Sequence, residues 1–264
     1  MITIYGGTDI GLVRKTNQDN FAYKVLGELL AYAVLCDGMG GPGSGHVASE
    51  TATRFISQAL DRDLKPGMSE ASLKNVIISA AAGANALVYD AARQNPNLTG
   101  MGTTMIIAVV FGDMAFISYV GDSRVYYFNG GEGRQLTKDH TVVQMLLDIG
   151  EISPEEAAEH PKRHFITRAV GVSPTVGADF AAHPFRPGDT LFLCSDGFYN
   201  YVGSDNMTGP ALFAHVRKSV ENESVDNLLR LAKDVGGGGD NITAIVIRRS
   251  AEQTCLAAEP EVDS

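Results

Sequence analysis

Aspartates recur at the ends of hydrophobic segments, and this placement limits the folds open to the chain more than any other feature of its sequence. Asp37 and Asp196 each follow an apolar run. Asp19 and Asp240 each precede one, and Asp122 lies between two. A carboxylate beside a buried strand is costly unless it is paired or bound to a metal. Because carboxylates packed together repel one another, the pattern predicts that separate strands bring these side chains to one shared cation site.

A simpler interpretation applies to each aspartate taken alone. An aspartate–glycine pair after a strand is commonly just a turn, and this alternative stays open for Asp37, Asp122 and Asp196 individually. The joint pattern favours a site. The candidate ligands are all oxygens, with no cysteine or histidine among them, which suits hard ions such as Mg²⁺ and Mn²⁺ and disfavours structural zinc.

The chain has 264 residues, 44% of them hydrophobic, and is long enough to bury a large core as one domain. We expect a single domain over residues 1–250 and an acidic, disordered tail over residues 251–264. The 21 Lys and Arg against 31 Asp and Glu give a net charge of −10. That balance argues against nucleic acid as a partner.

Two further stretches of the sequence bear on the compartment of the protein and on membrane attachment. Residues 1–11 lack a basic region followed by an apolar run, so no signal peptide is predicted. The most apolar stretch, residues 103–120, is broken by Gly112 and Asp113 and predicts two strands and a turn instead of a membrane span. We therefore expect a cytoplasmic protein with no membrane partner.

Hydrophobic patterning predicts short strands in two groups, with helices clustered between them. Strands are predicted over residues 2–8, 21–25, 29–36, 103–111, 115–120, 124–128, 190–194 and 242–247. Helices are predicted from an apolar stripe at Val47, Thr51, Phe55 and Ala59, over about 69–93, at 142–146 and over about 225–235. The pattern is typical of packed sheets flanked by helices.

The three cysteines, Cys36, Cys194 and Cys255, show neither metal-ligand spacing nor a disulfide framework. A cysteine-based phosphatase requires Cys-x5-Arg, but Pro42 and Asn200 occupy the arginine positions after Cys36 and Cys194. We interpret these two cysteines as buried strand residues beside the site.

Six segments together resemble the metal-dependent protein phosphatases of the PPM, or 2C, family. They are residues 14–20 (RKTNQDN), 34–41 (VLCDGMGG), 102–104 (GTT), 121–124 (GDSR), 195–197 (SDG) and 239–243 (GDNIT). They occur in the family's order, and the resemblance extends over nearly the whole chain, from about residue 5 to residue 247. The resemblance implies an α+β fold in which two antiparallel sheets pack as a sandwich, with helices on both outer faces.

The resemblance also implies a centre of two Mn²⁺ or Mg²⁺ ions that hydrolyses phosphoserine and phosphothreonine on proteins, the products of Ser/Thr kinases. By motif position, Asp37 would bridge both ions. The Gly38 carbonyl would help to hold one ion, and Asp196 and Asp240 would hold the other. We expect a monomer.

Three further residues receive roles from the same resemblance. Asp19 would bind through water or orient the ligands. Asp122, with Asp196, would hold a third, weaker ion, as in bacterial members. Arg14 would grip the substrate phosphate, because its planar fork can make two bonds to it; the alternative is an ordinary surface arginine.

Two bound divalent ions would suit the chemistry of phosphate hydrolysis by an acidic protein. Two ions roughly 3.5–4 Å apart can lower the pKa of a shared water and stabilise both oxygens of an in-line displacement. The ions also supply the local positive charge that the chain lacks. Water, and not a protein nucleophile, would attack the phosphorus.

One position departs from the family pattern. Many animal relatives carry a histidine after the Asp–Gly pair as a proposed general acid, whereas this chain has Met39. His46 lies nearby and is expected on the first helix, with a catalytic role as the less favoured alternative. Residues 139–176 correspond to a variable flap beside the active site in bacterial relatives, and we expect it to influence substrate choice.

Three other functions fit the sequence less well. Residues 38–43 match the dinucleotide fingerprint G-x-G-x-x-G, but Asp37 would repel a pyrophosphate, Asp61 follows a helix and no βαβ unit follows. A two-metal phosphodiesterase would need several histidine ligands. A scaffold that binds phosphoproteins without cleaving them is the remaining alternative, although the intact aspartate set argues against it.

Overall fold

The computed structural model describes residues 1–41, 43–129, 132–202 and 209–250. The predicted tail over residues 251–264, with Cys255, lies outside these ranges. The strands are β1 (Ile2–Asp9), β2 (Asp19–Gly27), β3 (Leu30–Met39), β4 (Gly102–Thr103), β5 (Met105–Phe111), β6 (Met114–Val120), β7 (Arg124–Asn129), β8 (Glu132–Gln135), β9 (Asp179–Pro184), β10 (Thr190–Cys194) and β11 (Ile242–Arg249). The α-helices are α1 (Ser44–Asp63), α2 (Glu70–Gln94), α3 (Val142–Asp148), α4 (Pro154–Glu159), α5 (Asp196–Val202), α6 (Pro210–Glu221) and α7 (Asp226–Gly236).

The strands form two antiparallel sheets. The first sheet has the order β1-β11-β10-β7-β8, and the second has the order β2-β3-β5-β6-β9, with β4 paired to β3. Alternation along β3 shows how the sheets pack. Ala31, Ala33 and Leu35 lie in the core between the sheets, whereas Tyr32 and Val34 face the helices.

Helices cover both outer faces. One apolar cluster joins α1 and α2 to the second sheet, and another joins α5, α6 and α7 to the first sheet. The layers are therefore helix, sheet, sheet, helix, which confirms the α+β sandwich predicted from the sequence.

The buried face of α1 differs from the prediction. Val47, Thr51 and Phe55 are only partly buried. Ala59, the fourth residue of the predicted stripe, is buried as predicted, and the other buried side chains of this helix include Ala48, Ala52, Ile56 and Leu60. Small residues on this face let α1 approach β3 closely, and a pattern search that weights large apolar side chains overlooks them.

Helix α2 is long and apolar enough to cross a membrane by length and composition, and it is the one such helix in the described ranges. Its apolar face, including Leu73, Ile77 and Val88, is buried in the same cluster as α1. Ser69 caps its first turn by accepting a hydrogen bond from the Ser72 backbone. Packing against α1 thus accounts for the apolar character of α2.

Candidate metal centre

The first two acidic residues face each other across a strand pair. Asp19 is the first residue of β2 and lies directly opposite Asp37 of β3. The prediction that the strand ends at Asp37 is wrong, because Gly38 and Met39 continue β3 by pairing with β4. Like charges directly opposite each other destabilise a sheet, so this pair needs a compensating cation.

Hydroxyl groups of the GTT segment fix the backbone of Asp37. The Asp37 N–H donates to Thr104 Oγ1 at 2.9 Å, and the Thr104 N–H donates to the Asp37 carbonyl at 2.8 Å. Thr103 Oγ1 donates to the same carbonyl at 2.9 Å. Three bonds therefore leave the Asp37 backbone little freedom, which suits a side chain that must hold one orientation.

Two other motif hydroxyls bind Asp19. Ser195 Oγ donates to Asp19 Oδ2 at 2.8 Å, and Thr243 Oγ1 donates to the same oxygen at 2.6 Å. The other oxygen, Oδ1, is buried and has no hydrogen-bond partner within the described ranges. A buried carboxylate oxygen without a donor is costly, and a bound cation or a water on that cation would satisfy it.

Both aspartate–glycine pairs need glycine because backbones approach closely there, not because they form turns. A Cβ on Gly38 would lie 2.0 Å from the Gly45 carbonyl oxygen at the start of α1. A Cβ on Gly197 would lie 1.9 Å from the Asn241 carbonyl oxygen. The turn interpretation is therefore wrong for both pairs: Asp37–Gly38 is strand, and Asp196 opens helix α5 after β10.

The carboxylates are close enough to perturb one another. Burial, and then repulsion from Asp19, Asp196 and Asp122, raises the pKa of Asp37 well above its usual range. Burial and repulsion from Asp122 and Asp240 do the same to Asp196. These shifts indicate mutual crowding in a poorly hydrated place.

Asp19 and Asp122 are perturbed in the same direction. Burial raises the pKa of Asp19 to about 6, against the opposing hydrogen bonds from Thr243 and Ser195. Burial, and then Asp139, raises the pKa of Asp122 to about 6. Four carboxyl groups, of which Asp19 and Asp122 are buried and Asp37 and Asp196 partly buried, thus share one local environment that disfavours their negative charge.

Arg14 supplies positive charge at the rim. Its Nη2 atom donates to Asp240 Oδ2 at 2.7 Å, and both side chains are partly exposed. This pairing raises the pKa of Arg14, helped by the fields of Asp196 and Asp37. The loop that carries Arg14 is held by Asn241, whose Nδ2 donates to the carbonyls of residues 10 and 16.

A cleft of about 660 Å³ gathers most of the predicted site. Its lining includes Arg14, Asp37, Gly38, Asp122, Asp196 and Asp240. Asp19 lies behind the cleft wall and does not line it, which agrees with an orienting role more than with direct ligation. Arg163, His164 and Asn200 are among the other residues of the lining, and sequence reasoning gave none of these three a role in the site.

The donor set fits a hard divalent cation. In the described part of the chain, no three acidic, histidine or cysteine side chains are already spaced to hold one ion, so water ligands or small movements of the aspartates would have to complete each ion's shell. Mg²⁺ commonly keeps several waters and uses only one or two carboxylates, so a sparse set of carboxylates and a carbonyl is compatible with it. The orphaned oxygen of Asp19 and the mutual repulsion of the aspartates both favour a cation here.

In the described part of the chain, neither the two cysteines nor His46 and His140 offer a nucleophile at the cleft. Cys36 and Cys194 are fully buried, as predicted, and burial raises the pKa of the Cys36 thiol to about 12. His46 lies on α1, as predicted, with an exposed side chain 3.7 Å from Glu50. His140 is buried, and its Nδ1 accepts a hydrogen bond from the Gly121 N–H at 3.1 Å.

Comparison with known proteins identifies the class that this fold and cleft define. The sequence model of the family described as Protein phosphatase 2C matches residues 13–232, so the chain belongs to the protein phosphatase 2C family. This finding confirms the predicted family and the predicted enzyme class, a protein serine/threonine phosphatase.

Particular relatives agree with that assignment. The serine/threonine phosphatase stp of Listeria innocua is 35% identical over 248 residues, covering 93% of this chain and 95% of the relative. The structure of serine/threonine phosphatase Stp1 from Staphylococcus aureus matches with a TM-score of 0.84 and 31% identity, covering 95% of this chain and 96% of that one. A structure of the catalytic domain of PstP in complex with two manganese ions matches with a TM-score of 0.76 and 32% identity, covering 94% of this chain and 97% of that one.

Proposed function

We propose that this chain hydrolyses phosphoserine and phosphothreonine monoesters on proteins with the help of two divalent ions, Mn²⁺ or Mg²⁺. The observation that carries the proposal is the convergence of aspartates from distant segments on one cleft rimmed by Arg14. The manganese-bound PstP relative supports the choice of ion.

The residues that would hold the ions are those of the cleft. Asp37 would contact both, the Gly38 carbonyl would complete one ion's ligands, and Asp196 and Asp240 would hold the other. Bound divalent ions lower the pKa of a water and neutralise charge on the phosphoryl oxygens. A third, weaker ion would use Asp122 together with Asp196.

The chain's own groups then have distinct tasks. Arg14 binds the substrate phosphate through its planar fork and keeps it at the rim of the cleft. Asp19, held by Ser195 and Thr243, keeps a negative charge behind Asp37. Met39 lines the cleft and has no proton to give, so the leaving group takes its proton from water or from another residue.

On this proposal the substrates are the phosphorylated products of Ser/Thr kinases, and the enzyme acts in the cytoplasm as a monomer. The most informative survey is phosphoproteomics of a deletion strain, in which the phosphosites that accumulate identify the substrates.

The direct test is hydrolysis of p-nitrophenyl phosphate and of a phosphothreonine peptide by the purified chain. Activity that requires Mn²⁺ and is abolished by EDTA is the expected result. Binding of the phosphopeptide without turnover at any metal concentration would instead support the scaffold alternative.

A further inference from the structure

Tyr199 lies behind the cleft, beside the proposed metal ligands. It lies on α5, three residues after Asp196, and its side chain is buried, with 5% of the residue exposed. Its hydroxyl donates to Asp122 Oδ2 at 3.2 Å. A buried tyrosine usually finds a partner for its hydroxyl, and here that partner is a carboxylate of the cleft.

The ring of Tyr199 is held as firmly as its hydroxyl. The guanidinium carbon of Arg124 lies 3.6 Å from the ring centroid, in a stacked cation–π contact. Arg124 is itself fixed, because its Nε and Nη2 atoms donate to the Asp139 carboxylate at 3.1 and 2.7 Å. Its Nη1 atom donates to Tyr126 Oη at 3.1 Å.

These contacts form one continuous chain of groups, which we name the Asp139 relay: Asp139, Arg124, Tyr199 and Asp122. Its far end, Asp139, is the first residue of the flap segment, and its near end lines the cleft. Hydrogen bonds join Arg124 to Asp139 and Tyr199 to Asp122, and a cation–π contact joins Arg124 to the Tyr199 ring. The relay can therefore hold the Asp122 carboxylate in one rotamer, as outer-shell partners do for metal ligands.

We propose that Tyr199 is a positioning residue that fixes the Asp122 carboxylate for the third, weaker ion, and that the flap anchor at Asp139 supports it through Arg124. This inference rests on the proposed function. It concerns the weaker ion alone, because Tyr199 makes no hydrogen bond to Asp37 or Asp240 within the described ranges.

The test is equilibrium Mn²⁺ binding, followed by electron paramagnetic resonance of free Mn²⁺, for the full chain and three variants. Tyr199→Phe removes the hydroxyl and keeps the ring under Arg124. Tyr126→Phe is the matched control, because it deletes a buried hydroxyl on the same guanidinium without touching Asp122. Asp122→Asn shows whether the tightly bound or the weakly bound Mn²⁺ ions depend on that carboxylate.

The expected result is that Tyr199→Phe raises the dissociation constant of the weak Mn²⁺ class about tenfold or more, as loss of an outer-shell partner does. The tight class and the unfolding temperature stay close to wild type, and Tyr126→Phe leaves both classes unchanged. The Mn²⁺ concentration needed for half-maximal p-nitrophenyl phosphate hydrolysis should rise in parallel.

Other outcomes overturn the inference. Wild-type weak binding in Tyr199→Phe, or equal weakening of both classes in the two tyrosine variants, would show that the hydroxyl has no specific role. Either result leaves the two-ion proposal intact. Absence of any Mn²⁺ binding by the wild type would contradict both this inference and the two-ion proposal.

Discussion

The aspartate-bearing ends of the strands and the flap, residues 139–176, border the same cleft but are built in opposite ways. At the strand ends, Asp37 is held by three backbone-directed bonds, and the neighbouring strand residues are fully buried. In the flap, α3 has no buried residue and α4 has one, Ala157. The flap pairs with the body at one isolated bridge, between Thr103 and Val170, and the bridge between Thr141 and Ile166 lies within the flap.

The two regions differ in how closely their side chains must keep a fixed geometry. Ligands must hold their geometry, and strands fixed by many long-range bonds provide that. A segment with few buried apolar contacts opens locally at low free-energy cost, which suits recognition of varied phosphoproteins. Arg163 and His164 are the flap residues with charged or imidazole side chains that line the cleft, so the proposed influence of the flap on substrate choice would act through them.

The largest expected effect comes from removing a rigid carboxylate. Asp37→Ala should reduce turnover of p-nitrophenyl phosphate by about a thousandfold or more, since about 4 kcal/mol of transition-state stabilisation is lost. The fold should survive, because the change also relieves repulsion with Asp19. Asp90→Ala, at an exposed position on α2, is the control and should leave activity unchanged. Near-normal turnover in Asp37→Ala would refute the ligand assignment.

A backbone change at the strand ends should be nearly as damaging. Gly38→Ala places a Cβ 2.0 Å from the Gly45 carbonyl, so a strand or helix must shift, at a cost of at least about 3 kcal/mol in the free energy of unfolding. Gly27→Ala, whose Cβ would meet nothing within 4 Å, should cost under about 1 kcal/mol. Equal urea-denaturation midpoints for the two variants would contradict the rigid description.

Arg14 lies at the rim and should affect binding more than turnover. Arg14→Ala should raise KM for a phosphopeptide about tenfold or more, the value of a charge-assisted hydrogen bond to phosphate. Mn²⁺ affinity should change less, although Arg14 contacts Asp240. Lys15→Ala controls for the loss of one positive charge. An equal loss of metal affinity and of substrate affinity would count against the phosphate-binding role.

His140 anchors the flap to the body, and its titration should appear in stability. Burial lowers the pKa of His140 below its ordinary 6.5, against the attraction of Asp179. The stability that it provides is therefore complete above pH 6.5 and is lost as pH falls toward the lowered pKa. His140→Leu should cost about 1–3 kcal/mol at pH 7, because the Gly121 N–H loses its acceptor. That difference should shrink below pH 6, and a difference independent of pH would contradict this role.

The smallest expected effect comes from removing one helix-capping hydroxyl in the flap and one in the core. Ser153 caps α4 in the flap, and Ser69 caps α2 in the core, each accepting a bond from the backbone of the first turn. Either change to Ala removes about 1 kcal/mol from its helix. Ser69→Ala should lower the global unfolding temperature, whereas Ser153→Ala should only speed amide hydrogen exchange in the flap. Equal shifts in unfolding temperature would show that the flap is as firmly attached as the core.

Much of the fold follows from the sequence because the strands alternate regularly and the motif segments sit at their ends. Some elements could not be predicted from the sequence, and the reasons are physical. Strand β9 is only partly buried and lacks a strong apolar alternation, and α5 begins inside a segment that looks like a turn. Thr103 and Thr104 fix the backbone of Asp37, but they lie 66 and 67 residues from it in the sequence, and local patterns do not encode such distant contacts.

The site was predictable to a similar degree. Aspartates at strand ends are visible as a pattern, but the bonds between them and their supports are not. His140 had no usable spacing, and its importance comes from burial beside Gly121. Arg163 and His164 lie in an exposed polar stretch, so only the folding of the flap back over the cleft reveals their position.

Anomalous scattering at the manganese edge, from crystals of the chain grown with Mn²⁺, tests the central claim most directly. The account predicts two strong peaks in the cleft, one in contact with Asp37 and Gly38 and the other with Asp37, Asp196 and Asp240. A cleft empty of peaks at saturating Mn²⁺, or ions bound only at distant surface carboxylates, would contradict it.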